Sequence, residues 1–302
     1  MAEADFIARL RALATHPAAR GLMDDAAVLG DLVLTHDMIV EGVHYLATDP
    51  PADVAWKLVA VNLSDLAAKG AEPVGVLLGY PLRDASWDAA FADGLTVALA
   101  RFAVPLLGGD TVSAPVGASR MLGMTAIGRS ADAPDRRGAR AGDGLWLVGA
   151  IGDAAAGLAI ARGERDGPDA LLAAYRRPVP LLEEGRALAP HASAMADVSD
   201  GLLIDATRIA AASRLSVTID LDAVPRSPAL DAFAGDDRAA RLAAATGGDD
   251  YALILAAPPH AAAAVVATGA IRIGGFVAGA GLTLFDRDGA VPLPDRLGWE
   301  HG

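Results

Sequence analysis

The chain has 302 residues, 53% of them hydrophobic, which is enough for two domains of about 150 residues each. Its 38 acidic and 25 basic residues give a formal charge of −13, which argues against nucleic acid or an anionic membrane as a partner. Cysteine is absent, which excludes disulfides, thiolate catalysis and cysteine-based zinc sites and fits a reducing, cytoplasmic location. Charged residues interrupt positions 1–21, so no export signal is expected.

The first half of the chain is predicted to alternate helices and strands. Apolar periodicity predicts helices at 4–16, 53–69 and 87–102, a hairpin over 26–29 and 32–35, and strands at 74–80, 104–107 and 121–127. Segment 134–144, rich in Arg, Gly and Asp, is the best linker candidate. Its Arg136, Arg137 and Arg140 are expected to be solvated.

The second half shows the same alternation. Strands are expected at 145–148, 194–198, 215–221, 251–256, 271–277 and 282–285, and helices at 153–162, 202–212 and 260–267. Segment 170–188 reads as a helix that Pro178 and Pro180 break into two pieces. The sequence therefore predicts an α/β (α+β) chain of two lobes, divided into domains 1–138 and 139–302.

Common phosphate-binding and hydrolytic motifs are missing. Neither Lys57 nor Lys69 follows a glycine or precedes Ser or Thr, so a Walker A loop is excluded, and a GxGxxG fingerprint fails as well. No HExxH, Gly-x-Ser-x-Gly or EF-hand sequence occurs, and the histidines show no zinc-ligand spacing. Any phosphate chemistry must therefore use other residues.

Acidic residues recur where apolar runs end, at positions where ligands gather in α/β folds: Asp25, Asp37, Asp110, Asp197, Asp200 and Asp249. Asp65 differs, because it lies inside a predicted helix on the same face as Asn62. Taken singly, each is a plausible cap, turn or solvated residue. Together in one cleft they would repel one another unless hard divalent cations, most naturally Mg²⁺, lay between them.

Paired glycines accompany two of these acidic positions. Gly108-Gly109 and Gly247-Gly248 would let backbone N–H groups approach a phosphate closely. The residues alone therefore indicate metal-assisted phosphate chemistry.

Six motifs occur in a recognisable order: Asp-Asp-Ala-Ala-Val (24–28), Thr-His-Asp (35–37), Asn-Leu-Ser-Asp (62–65), Gly-Gly-Asp-Thr (108–111), Asp-Val-Ser-Asp-Gly (197–201) and Gly-Gly-Asp-Asp-Tyr (247–251). In this order and over residues 21–299, the chain resembles the thiamine-monophosphate kinase family. The resemblance extends to a wider superfamily that includes aminoimidazole ribonucleotide synthetase, selenophosphate synthetase and a hydrogenase-maturation enzyme.

The resemblance implies a fold, an activity and an assembly. The fold is two-lobed and synthetase-like, with an N-terminal lobe that forms an intersubunit β-barrel in a homodimer and a C-terminal α/β lobe. The activity is the phosphorylation of thiamine monophosphate to thiamine diphosphate by direct in-line transfer from ATP, assisted by several Mg²⁺ ions. ATP and thiamine monophosphate are thus the implied ligands.

The resemblance also implies roles for individual residues. The implied metal ligands are Asp25, Thr35, His36 (through its backbone carbonyl), Asp37, Asp65, Asp110, Asp197 and Asp200, of which Asp37, Asp65 and Asp110 are the expected catalytic residues. The implied ATP contacts are Gly109, Asp110, Arg129 and Ser199, and the implied substrate contacts are His44, Asp249 and Trp299. The chain departs from the family pattern at Met23 instead of Gly, His36 instead of a small hydroxyl residue, and Asp249 instead of Glu.

Two alternatives remain open. One is a sibling ATP-dependent synthetase, resembling aminoimidazole ribonucleotide synthetase; selenophosphate synthesis is disfavoured because a catalytic cysteine is missing. The other is a catalytically inactive homologue that only binds nucleotide, although the intact Asp positions argue against it.

Overall fold

A computed structural model describes residues 3–115 and 117–300 and shows two lobes, each built on its own β-sheet. The N-terminal lobe comprises α1 (Glu3–Arg11), β1 (Ala27–Leu29), β2 (Leu32–Val40), α2 (Pro51–Ala68), β3 (Glu72–Leu82), α3 (Ala85–Arg101), β4 (Leu106–Ser113) and β5 (Met121–Arg129). The predicted two-lobed α/β class is confirmed.

The C-terminal lobe carries the longer sheet. Its elements are β6 (Gly144–Val148), α4 (Asp153–Ala161), α5 (Asp169–Arg176), α6 (Leu182–Leu188), β7 (Ala194–Val198), α7 (Leu202–Ala212), β8 (Leu215–Asp220), α8 (Pro228–Ala234), α9 (Arg238–Thr246), β9 (Ala252–Ala257), α10 (Ala262–Ala267), β10 (Ile271–Ala278), β11 (Gly281–Asp286) and β12 (Gly289–Val291). The strand order is β12-β11-β8-β10-β6-β9-β7, antiparallel except between β11 and β8. Strands β6, β7 and β9 are buried at every residue, as their continuous apolar sequence predicts.

The N-terminal sheet has one covered and one open face. Its strand order is β1-β2-β5-β3-β4, antiparallel except between β3 and β4. Helices α2 and α3 pack together, and α2 covers one face of the sheet across β2 and β5. Exposed apolar side chains remain on this lobe, among them Met38 (44% exposed) and Val112 (56% exposed). Every residue of the edge strand β4 is exposed.

Helix α2 joins the two lobes. Pro51 lies at its first turn, where a missing N–H costs nothing, and Gly70 follows its end with φ +56°. The helix is almost wholly buried because it also packs against α6, where a Cβ on Gly185 would lie 2.1 Å from the Ala67 carbonyl oxygen. Among the helices of the described ranges, none is long and apolar enough to cross a membrane.

Most predicted elements lie within a few residues of their observed bounds. The exceptions are α1, which ends at Arg11 and not at 16, β2, which continues to Val40 and not only to 35, and β4. A strand was predicted at 104–107, but the strand runs from Leu106 to Ser113 through both glycines. A Cβ on Gly109 would lie 1.9 Å from the Leu78 carbonyl oxygen, so glycine permits close pairing with β3 and forms no turn. The short elements α8, α9 and β12 were not predicted.

Candidate active site

Three carboxylates from separate parts of the chain meet where the lobes join. Asp25 lies just before β1, Asp65 lies in α2, and Asp197 lies in β7 of the other lobe. One oxygen of each lies within 4.8 Å of the others. Asp65 and Asp197 are only 7% and 4% exposed, so these charges are largely removed from water.

Neighbouring polar side chains orient these carboxylates. The Thr35 hydroxyl donates a hydrogen bond to Asp65, and the Ser64 hydroxyl donates one to Asp197 over 2.6 Å. Asn62, one turn before Asp65, accepts a hydrogen bond of 3.0 Å from the backbone N–H of Asp37. Helix α2 and strand β2 thus hold the predicted Asn-x-x-Asp and Thr-x-Asp residues against one another.

The side chain of His36 lies on the other face of β2. Side chains alternate along a strand, so His36 is directed away from its neighbours Thr35 and Asp37. Its ring nitrogen Nδ1 lies 2.9 Å from the Thr125 hydroxyl, and the residue is exposed. The unusual histidine therefore leaves the acidic side of the strand unchanged.

Two cationic side chains form ion pairs with Asp24 and Asp25. The Lys69 ammonium, fully buried, lies 2.5 Å from an Asp24 oxygen and 2.7 Å from Asp25 Oδ2, and it also donates to the Met195 carbonyl. The Arg136 guanidinium forms an ion pair with Asp25. The expectation that Arg136 is a solvated linker residue is wrong, because segment 134–144 turns it inward onto this carboxylate.

The carboxylates divide into two electrostatic classes. Burial, followed by repulsion from other carboxylates, raises the pKa of Asp37 to about 6 and that of Asp197 to about 8, and it raises the pKa of Asp65 well above its ordinary value. Burial also acts on Asp25, but the charges of Arg136 and Lys69 outweigh it and lower the Asp25 pKa. The carboxyls that form no ion pair with either cation are therefore the ones that need another positive charge.

The donor set fits a hard divalent cation. Asp25, Asp65 and Asp197 offer only oxygen ligands, and no cysteine exists to favour a softer metal. Asp25 Oδ2 is buried and accepts no well-directed hydrogen bond, although the Lys69 ammonium lies 2.7 Å away. These features match Mg²⁺, which binds a few carboxylates and completes its shell with water and phosphate oxygens.

A cleft of about 400 Å³ lies between the lobes beside this cluster. Both lobes line it, and its wall includes the sequence-predicted residues Asp37, His44, Ser199, Asp200, Asp249 and Trp299. Arg162, at the end of α4, also lines the cleft and was not singled out from the sequence. Its side chain is 52% exposed and its guanidinium lies 3.7 Å from the Glu164 carboxylate, so this cation of the wall is within reach of an anionic ligand.

The C-terminal tail closes one side of the cleft. The backbone N–H of Trp299 donates to the Asp200 carbonyl over 2.9 Å, which fixes the tail to the Asp197–Gly201 turn. A Cβ on Gly298 would lie 2.4 Å from Ile204, so glycine is needed for this close approach. The Asp200 carboxylate itself pairs with Arg208 at 2.5 Å.

Three sequence-predicted residues lie away from the carboxylate cluster. Arg129, at the end of β5, is exposed and pairs with Asp31. Gly109 and Asp110 lie on the exposed edge strand β4, where the Asp110 carboxylate accepts the N–H of Thr111 over 3.0 Å. Within one chain, the sheet separates β4 from β2 by the intervening strands β3 and β5.

Comparison with known proteins identifies the family of this two-lobed arrangement. Residues 23–130 match the N-terminal domain of AIR synthase related proteins, and residues 140–286 match the C-terminal domain. A thiamine-monophosphate kinase of Caulobacter vibrioides is 43% identical over 323 residues, covering 99% of this chain and 91% of the relative. The chain belongs to the thiamine-monophosphate kinase family.

Solved structures agree with this membership. AaThiL complexed with AMPPCP and TMP is 26% identical, with a TM-score of 0.88 over 100% of this chain and 97% of that one. Thiamine-monophosphate kinase from Stenotrophomonas maltophilia K279a is 35% identical, with a TM-score of 0.77 over 93% and 94% of the two chains. The predicted family and its kinase activity are confirmed. The similarity to thiamine-monophosphate kinases favours this activity over the two alternatives, a sibling synthetase and an inactive homologue.

The carboxylate cluster predicts a pH-dependent response to Mg²⁺. Because the native Asp37 and Asp197 carboxyls have pKa values near 6 and 8, above an unfolded value of about 4, the folded state binds more protons between these limits. The stability of the metal-free protein should therefore fall as the pH rises from about 5 to about 8. Mg²⁺ competes with those protons, so its stabilising effect should grow over the same range.

Thermal unfolding with and without MgCl₂, at several pH values, checks this prediction. Potassium chloride at equal ionic strength controls for general screening of charge. A rise in melting temperature with Mg²⁺ that is equal at all pH values would contradict metal binding at these carboxyls.

Proposed function

We propose that the protein transfers the terminal phosphoryl group of ATP directly, in line, to the phosphate of thiamine monophosphate in this cleft, and that several Mg²⁺ ions would assist the transfer. The observation that supports this most is the convergence of Asp25, Asp65 and Asp197 beside a cleft lined by both lobes. AaThiL, complexed with AMPPCP and TMP, is similar over its whole length, which supports the same pair of ligands here.

The residues of the chain have distinct roles in this proposal. Asp25, Asp65 and Asp197 would hold cations deep in the site, with the Thr35 hydroxyl beside Asp65, and Asp37 and Asp200 would provide further oxygens from the cleft wall. Bound Mg²⁺ would neutralise phosphate charge and stabilise the transferring group. Ser199 contacts ATP from the cleft wall, Arg129 contacts it from the exposed end of β5, and His44, Asp249 and Trp299 form the thiamine end.

The chemical nature of the phosphoryl acceptor determines which catalytic groups the protein must supply. A phosphate monoester is already ionised near neutral pH, so its oxygen can attack without a strong general base. Charge repulsion between two anions is then the main barrier, and positioning with positive charge lowers it. Arg162 is the cleft-lining cation that can add to this on the protein side.

The acceptor test compares thiamine monophosphate with unphosphorylated thiamine. We expect thiamine monophosphate to yield thiamine diphosphate with one ADP per product, and thiamine to be inert because its hydroxyl would require deprotonation. Coupled ADP release and chromatography of the products measure both reactions. Phosphorylation of thiamine at a comparable rate, or turnover that requires an amide-bearing ribonucleotide, would contradict the proposal.

Substitution of Asp65 tests the metal-binding cluster. Asp65→Asn keeps an oxygen that can accept the Thr35 hydrogen bond but removes the charge, so we expect kcat to fall about 100-fold or more with the fold intact. Asp53→Asn is the matched control, since Asp53 is also buried in α2 but pairs with Arg177. Turnover within about twofold of wild type in Asp65→Asn would mean that Asp65 binds no catalytic metal.

The homodimer is also a proposal, supported by the open face of the N-terminal sheet. Asp110 pairs in register with Gly79, Gly79 with Gly123, and Gly123 with Met38. Residues paired across strands share a face, so Asp110 shares the open face with Met38 and not the face of Asp37. A second copy packed on this face, forming an intersubunit barrel, would cover the exposed apolar residues and bring Gly109 and Asp110 to its partner's nucleotide.

The oligomeric state tests this surface. Val112→Asp places a charge on the exposed edge strand, and we expect it to shift the protein from dimer to monomer and to lower activity. Val97→Asp is the matched control, because Val97 is equally exposed (55%) but lies on α3. Sedimentation velocity measures the outcome. A wild-type protein that is monomeric and fully active would rule out the shared site.

The division into domains at residue 138 and the cytoplasmic location of the protein stay predictions.

A further inference from the structure

Lys57 is a buried cation that links three segments around the thiamine end of the cleft. Lys57 is 2% exposed, and its ammonium group donates to the His44 carbonyl over 2.9 Å and to Asp249 Oδ2 over 2.8 Å. The ring of Tyr175 lies beneath it, with the centroid 4.2 Å away. Lys57 belongs to α2, His44 to the loop before that helix, and Asp249 to the other lobe.

Asp249 is held at both oxygens. Lys57 binds Oδ2, and the Tyr251 hydroxyl donates to Oδ1 over 2.9 Å. Each carboxylate oxygen has a second lone pair, and the side chain is 28% exposed on the cleft wall, so it can still accept from a ligand. Asp249 is thus available to a ligand in an orientation that the protein fixes.

The backbone around Asp249 depends on such contacts. Asp249 and Tyr251 both have positive φ, at +71° and +52°, which side chains other than glycine rarely adopt. Their N–H groups donate to the Ser199 and Val198 carbonyls over 2.8 Å and 2.9 Å. The uncommon conformation directs the Asp249 carboxylate towards α2, where Lys57 meets it.

We propose that Lys57 is a positioning residue for thiamine monophosphate: by binding Asp249 and the His44 carbonyl together, it sets the distance between the two walls that receive the thiamine group. At 3% side-chain exposure Lys57 does not reach the ligand itself. It also neutralises Asp249, which keeps an unpaired negative charge away from the entering phosphate. The inference rests on the proposed assignment of Asp249 and His44 to the substrate site.

The test measures the affinity for thiamine monophosphate by calorimetry, together with KM values for both substrates. We expect Lys57→Met to weaken binding of thiamine monophosphate about tenfold, while kcat and the KM for ATP change by less than about threefold. Arg177→Met is the matched control, because it also removes an ion pair between the lobes, to Asp53, but lies away from the cleft. It should leave the affinity unchanged.

A double substitution separates positioning from a loss of general stability. If Lys57 acts through Asp249, most of the effect of Lys57→Met should disappear in the Asp249→Ala background. Equal changes in the KM values of both substrates, or unchanged affinity with only a lower melting temperature, would overturn the inference. Should Lys57→Met fail to fold, Lys57→Arg decides: it keeps the positive charge but changes the length and shape of the link between Asp249 and the His44 carbonyl, so unchanged affinity for thiamine monophosphate would count against the inference.

Two variants distinguish an error in the substrate site from an error in the role of Lys57. If Asp249→Ala binds thiamine monophosphate as well as wild type does, the assignment of Asp249 to the substrate site is wrong. If Asp249→Ala weakens binding but Lys57→Met does not, the substrate site stands and the role of Lys57 is wrong.

Discussion

The structure depends on the burial of like charges at the junction of two lobes. Asp25, Asp65 and Asp197 come from separate segments, and their oxygens lie within 4.8 Å of one another. In a medium of low polarizability such a group is unfavourable unless cations compensate it. Of these three carboxylates, Lys69 and Arg136 pair with Asp25 only, which leaves Asp65 and Asp197 with raised pKa values. The remaining charge is available to bind metal.

Helix α2 transmits this constraint through the molecule. One side of the helix carries Asn62 and Asp65 against β2, while Lys57 lies in its first half and Lys69 directly follows its last residue. Lys57 reaches the substrate side of the other lobe, and Lys69 reaches Asp24 and Asp25. A helix buried on almost every residue is rigid, so the metal-binding and substrate-binding ends of the cleft are held at a fixed separation.

The sequence predicts those parts of the site that depend on local pattern. Helical spacing placed Asn62 and Asp65 on one face, because that period is set by the backbone. Asp37 was located at the end of an apolar run, and Thr35 was implied by the family resemblance. The ends of β7 and of the loop before β9 could be located because buried strands are continuous apolar runs. Elements with weak apolar patterns were missed. The alanine-rich α9 is one example, because alanine marks neither face of a helix clearly as apolar.

Residues whose role depends on distant partners could not be found this way. Arg136 looked like a linker charge, since nothing near it in sequence indicates that the chain turns back onto Asp25. Lys69 was considered only in excluding a Walker A loop, since nothing near it in sequence indicates that its ammonium reaches Asp24 and Asp25. Asp110 looked like a turn residue beside glycines, but those glycines allow close strand pairing. In each case the decisive contact joins segments far apart in the chain.

The most direct test of the metal cluster is anomalous scattering from crystals grown with Mn²⁺, a non-hydrolysable ATP analogue and thiamine monophosphate. The account predicts a manganese peak bound by oxygens of Asp25, Asp65 and Asp197, in addition to any cation on the nucleotide phosphates. Manganese found only on the phosphates, with Lys69 and Arg136 as the sole cations against these carboxylates, would contradict it.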